Sequence, residues 1–212
     1  MKKIIFSGLF MSLTSMVFGE FEGTNITKIK ELDNISNPKL IIDAKYSKAY
    51  TNIWMNVYIN ESMKEINAYD YSKQMEIRLR KVFDTNFEAN LNVDRKFEYL
   101  NIRKFSNAYE FSNYNGNLRI ARWGESYDIT GNVKDENGKY KYINLTVFKR
   151  FSDEFSFAIN TGGLNIYFDK YSVNGNFDET VYSKKIVSYI ISMVLTVEAD
   201  NMGDKTRPED KN

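Results

Sequence analysis

With no histidine and no cysteine anywhere in its 212 residues, this chain must draw any acid–base chemistry from its carboxylates. Histidine is the usual general base near neutral pH and the commonest metal ligand. Ser-His-Asp and Cys-His nucleophile systems and ordinary zinc sites are therefore excluded. The acids that remain in suggestive positions are the doublets Asp153-Glu154 and Asp178-Glu179, and the turn Asp135-Glu136-Asn137. A glycosidase needs two such acids about 5 to 9.5 Å apart across a sugar ring. Neighbours on a strand point to opposite faces, so neither doublet makes that pair by itself. The turn lacks the later carboxylate of a calcium loop, and no glycine-rich phosphate loop precedes a helix. No catalytic, cofactor-binding or metal-binding residue is assigned, no cofactor is expected, and the chain reads as a non-enzyme.

Aromatic residues are the second candidate, at 15% of the chain. Rows such as Trp54 with Tyr58, or Tyr140 with Tyr142, have the chemistry to stack on sugar rings or to anchor a protein interface. The same residues serve strand-rich chains as cross-strand pairs.

The elements that must position these residues follow from periodicity. The stretch from Leu118 to Phe168 reads as four strands: the pair flanking the Asn137-Gly138 turn, then Phe155 to Ile159 and Leu164 to Phe168. Leu40, Ile42, Ala44 and Tyr46 alternate, as do Ile53, Met55, Val57 and Ile59, which predicts two more strands. Tyr71, Met75, Leu79, Val82 and Phe83 recur at helical spacing and predict an amphipathic helix over Asp70 to Asp84. In residues 86–117 a strand is expected at Tyr99 to Arg103, with a loop at Ser112 to Asn117. Asn174-Gly175-Asn176 reads as a loop, and Tyr182 to Val197 as a second helix, buried over much of its circumference. From Ala199 to Asn212 the chain is polar and contains Pro208, the composition of a disordered tail.

Met1-Lys2-Lys3 followed by the apolar run Ile4 to Phe18 and by Gly19 has the form of a secretory signal peptide over residues 1–19, cleaved before Glu20. Residues 20–37 form a polar lead-in, and 38–198 a single domain. Removing Lys2 and Lys3 leaves 27 basic against 28 acidic residues. A chain so balanced has no electrostatic footprint for nucleic acid. The expected address is periplasmic or secreted, with no membrane span once the leader is cleaved.

Ala121-Arg122-Trp123-Gly124-Glu125-Ser126-Tyr127-Asp128-Ile129-Thr130-Gly131-Asn132-Val133, with the hairpin from Lys139 to Phe151, resembles a recurrent segment of TolB amino-terminal-like domains. CsgG-like and LpoB-like envelope proteins are similar in arrangement. The resemblance implies a non-catalytic adaptor that docks on another cell-envelope protein. The expected fold class is α+β, with a mixed, mainly antiparallel sheet packed against the two helices. The alternative is a β-rich periplasmic module that holds a small apolar ligand or a glycan between helix and sheet.

Overall fold

The computed structural model describes residues 24–30, 41–46, 50–72, 74–150 and 155–204. The leader, with its cleavage point, and the Asp153-Glu154 doublet lie outside the described residues. The chain divides into two compact units, Met1–Ala49 and Tyr50–Asn212. In the first, β1 (Thr24–Lys30) and β2 (Ile41–Tyr46) pair antiparallel and form a two-stranded sheet of their own.

In the second unit twelve strands follow one another: β3 (Tyr50–Asn60), β4 (Glu65–Asp70), β5 (Met75–Phe83), β6 (Asn86–Val93), β7 (Lys96–Phe105), β8 (Ala108–Asn113), β9 (Gly116–Trp123), β10 (Ser126–Lys134), β11 (Tyr140–Lys149), β12 (Ser156–Thr161), β13 (Leu164–Asp169) and β14 (Ser172–Asp178). Each pairs antiparallel with the next, and β14 returns to pair with β3, from Ser172 opposite Asn56 to Asp178 opposite Tyr50. The result is a closed up-and-down barrel with no free edge. The last element, α1 (Lys184–Asp204), is a helix buried on every side from Ile186 to Asp200. It packs against β4, β5, β6, β8, β9 and β10 and fills the barrel interior.

This architecture corrects the expected α+β class: a sheet that closes on itself around one helix replaces a sheet covered by two. The second correction is local and explains the first. Asp70 to Asp84 is not a helix but the end of β4, a turn and β5. A spacing of four residues is one helical turn and also two strand periods, so Met75 and Leu79 satisfy both patterns. Ile77 decides between them: it is buried with Met75 and Leu79, while Glu76, Arg78 and Arg80 face outward. Tyr71 and Phe83, which the helical stripe required inside, are exposed.

Asn174-Gly175-Asn176 is likewise not a loop. It lies within β14, bonded to strands on both sides. The predicted loop at Ser112 to Asn117 shrinks to the turn Tyr114-Asn115 between β8 and β9. The helix continues past Val197 to Asp204, so the polar stretch from Ala199 is partly core, with Ala199 and Asp200 buried. The strands of the Leu118 to Phe168 region and the strand at Tyr99 to Arg103 are present as expected.

The helix tolerates its position because its polar groups are satisfied. The Ser192 and Thr196 hydroxyls donate to the carbonyls of Ser188 and Ser192 one turn back, at 2.7 and 2.8 Å, and the Ser188 hydroxyl donates to the Lys185 carbonyl at 2.7 Å. A line of hydroxyls can thus enter an apolar barrel without partners on the wall. At the helix start the Glu136 carboxylate, carried in on the β10–β11 turn, accepts from the Lys185 amide at 3.0 Å. An acid there complements the positive end of the helix dipole.

Candidate functional site

Each acidic candidate among the described residues already accepts a hydrogen bond, and the Asp178 and Asp135 carboxylates both act on the Lys141 ammonium. Asp178 is buried and turned onto its own chain, where Oδ1 accepts from the Thr180 amide at 3.0 Å and the Thr180 hydroxyl at 2.6 Å. Glu179 accepts from the Thr51 hydroxyl. Asp135 closes its turn by accepting from the Asn137 and Lys139 amides, both at 2.9 Å. The carboxyls of Glu88 and Asp200 are both held below the usual range, Glu88 by hydrogen bonds from Tyr99 and Arg80. A glycosidase acid needs the opposite displacement.

The aromatic candidates do collect, on the outside of the barrel. Strand side chains alternate, so each residue opposite another across a strand pair shares its face. Trp54 stands opposite Asn174, Asn174 opposite Tyr167, Tyr167 opposite Ala158, and Ala158 opposite Phe148. This outward row crosses five strands, with an exposed aromatic ring on every second one. At the usual strand separation the rings are about 10 Å apart. Beside it runs a row of amides, Asn52, Asn176, Asn165 and Asn160, in which Asn165 donates to Asn176 at 3.3 Å.

The outward faces of β12, β13, β14 and β3 carry no Lys, Arg or Glu. Their one exposed carboxylate, Asp169, folds back onto the Tyr171 and Ser172 amides, each at 2.8 Å. The guanidinium of Arg150 reaches in from beyond β11 and lies 5.5 Å from the ring centre of Tyr167. On the adjoining arc the outward residues are charged instead, with Glu65, Glu76, Arg78, Arg80 and Glu88 crossing β4 to β6. A groove of about 540 Å³ lies on that charged arc, bordered by Tyr58 and Tyr69, whose rings stack at 5.4 Å.

A third collection sits at one barrel end. In an up-and-down barrel alternate hairpins emerge at the same end, here that of β3–β4, β5–β6, β7–β8 and β9–β10. Each presents one large apolar side chain to solvent at or beside its tip: Met63, Phe83, Phe105 and Trp123, the last 77% exposed. Sequence reading picked out Trp54, Tyr58, Tyr140 and Tyr142 as rows along single strands. It missed the row across strands and the grouping at the tips, because both arise from strand pairing. The signal available was the recurrence of a large apolar residue beside each turn.

Inside the barrel, every residue of α1 from Ile186 to Asp200 is buried. No family model, no curated protein and no solved structure matches this chain.

Proposed function

We propose that this chain is an exported, non-catalytic adaptor that docks end-on against another protein of the cell envelope. The observation that carries this is the set of four apolar side chains, Met63, Phe83, Phe105 and Trp123, exposed on neighbouring hairpins at one end. Exposed aromatic and methionine side chains gathered on a rigid scaffold are what interfaces use as anchors. The segment that resembles TolB-like domains, Ala121 to Val133 with the hairpin from Lys139 to Phe151, begins in the β9–β10 hairpin, and its Trp123 is one of the four. Export rests on the form of residues 1–19. The strands themselves are not built to span a bilayer, because the outer wall carries Asn, Glu and Arg and the apolar faces point inward, the reverse of a membrane barrel.

A photo-crosslinking residue at position 123 is expected to capture one envelope protein in cells. Phe105→Ser with Trp123→Ser should weaken that complex about thirtyfold or more, as loss of anchor residues does. Circular dichroism should be unchanged. Failure to capture any protein from position 83, 105 or 123 would remove the adaptor reading.

A second reading is favoured by a different observation, the uncharged arc. Rings about 10 Å apart on alternate strands, flanked by side-chain amides, match the repeat of alternate sugars in a neutral β-1,4-linked glycan, whose hydroxyls pair with amides. Trp54→Ala with Tyr167→Ala is expected to reduce retention on an insoluble β-1,4-linked glucan or on chitin about tenfold, the sum of two modest stacking contributions. Equal retention of variant and parent would dispose of this reading while leaving the adaptor intact.

A further inference from the structure

At the helix start, three side chains meet in an arrangement that charge compensation alone does not explain. The Lys185 Nζ lies 2.9 Å from Glu98 Oε1 on β7. It also donates to Asn115 Oδ1, in the β8–β9 turn, at 3.1 Å. The Asn115 Nδ2 in turn donates to the other oxygen of the same carboxylate, Glu98 Oε2, at 3.2 Å. An amine, an amide and one acid therefore close a ring in which each touches the other two. Tyr189 donates to Glu98 Oε2 as well. The group is sheltered: Asn115 is 5% exposed, and the Lys185 and Glu98 side chains are 14% and 18% exposed.

We propose that Lys185 and Asn115 join in an intramolecular isopeptide bond, with Glu98 as the proton carrier. The Lys185 ammonium gives a proton to Glu98 Oε1, leaving a neutral amine beside the Asn115 side-chain carbonyl. The Nζ lone pair attacks Cγ, forming the Nζ–Cγ bond. Glu98 delivers its proton to Nδ2 and takes the second proton from Nζ, and the Cγ–Nδ2 bond breaks. One ammonia leaves, Glu98 ends protonated, and no oxidant, reductant or co-reactant is consumed. The distances suit this: both nitrogens lie within reach of the single carboxylate, the range in which general acid–base transfer works, and the amine is held rather than free to diffuse.

Local structure keeps the reactants in place. The Asn115 amide donates to Asn113 Oδ1 at 2.8 Å, and the Asn115 carbonyl accepts from the Lys134 amide at 2.7 Å. The Glu136 cap fixes the Lys185 backbone. Burial and the Glu98 carboxylate push the Tyr189 phenol far above its ordinary range, so it remains a donor that steadies the acid. A small cavity of about 100 Å³ borders both Glu98 and Lys185 and gives ammonia a way out. The bond would staple the barrel's central helix to its wall in a chain without cysteine.

Intact mass spectrometry of the folded, full-length chain tests this. The expected mass is one ammonia below that of the sequence, and a digest should contain a branched peptide joining Asn115 to Lys185. Glu98→Gln and Lys185→Arg should both show the full mass. Asn115→Asp should instead lose one water and give the same branched product, a result independent of how well Glu98→Gln folds. Wild-type protein that folds, by circular dichroism, yet keeps its full mass after prolonged incubation overturns the proposal. So does an ammonia loss that persists in Lys185→Arg, because Asn115-Gly116 can lose ammonia alone by closing to a succinimide.

Discussion

Replacing Asp200 by Ala is expected to destabilise the barrel by about 3 to 5 kcal/mol, because it strands buried positive charge. Asp200 lies near the end of α1, where Lys81 from β5 approaches Oδ1 at 2.6 Å and Lys104 from β7 approaches Oδ2 at 2.5 Å. The Tyr109 hydroxyl donates to Oδ2 at 2.7 Å. The Lys81 side chain is only 9% exposed, so water cannot replace the lost carboxylate. Urea unfolding of Asp200→Ala at neutral pH measures the loss. Adding Lys81→Met should restore part of it, since the ammonium already lies over the Phe87 ring and a thioether would pack there. A double variant no more stable than Asp200→Ala would mean that the cost comes from elsewhere.

The same cluster fixes the direction of a pH dependence. Burial alone would raise the Asp200 pKa, but hydrogen bonds from Lys104, Lys81 and Tyr109 outweigh it and hold the carboxyl below the ordinary 3.8. A depressed folded-state pKa contributes stability that is fully present above the unfolded value and is lost as pH falls through the folded one. The stability gap between wild type and Asp200→Asn should therefore narrow as pH drops below about 4, and it should be constant from there towards neutrality. A gap that widened on acidification would contradict the sign.

Gly175→Val is the second large effect, expected at about 3 kcal/mol or more through backbone strain and steric collision. Gly175 has φ 148° and lies in β14, opposite Ile166 and Ile53. A Cβ there would fall 1.9 Å from the Asn165 carbonyl oxygen, a backbone atom that cannot step aside without breaking the β13–β14 pairing. The consequence reaches beyond one hairpin, because β14 is the strand that closes the barrel onto β3. Gly162→Ala is the control: nothing lies within 4 Å of its Cβ position. That change should stay within about 0.5 kcal/mol. Similar losses at both positions would show that the close approach at Gly175 is unimportant.

Gly175 also shows how the reading of the sequence went astray. Asn-Gly is a turn signal when the glycine supplies positive φ, and at Gly138 it does so in the β10–β11 turn. At Gly175 the same dipeptide sits inside a strand, where glycine lets two backbones approach as well as taking up a positive φ. Conversely, Asp94-Arg95 turns β6 into β7 with φ 49° and 65° and no glycine to announce it. Within residues 86–117 the turns Asp94-Arg95 and Ser106-Asn107 place Asp94, Arg95 and Ser106 at positive φ without a glycine, so the strongest hairpin signal is missing there.

What the sequence determined by itself was local. Alternation and turn signals located seven of the fourteen described strands, the length and apolar character of Tyr182 to Val197 placed a helix there, and the absence of histidine and cysteine removed most familiar chemistries. Aromatic content marked the residues that now stand on the outer wall. Tertiary structure alone decided that β14 pairs with β3, that the polar tail of the helix is core, and that Lys185, Asn115 and Glu98 meet. Those outcomes depend on hydrogen bonds and ion pairs between residues far apart in the chain. A periodicity window sees only neighbours, and neighbours specify which face is apolar without specifying what will cover it.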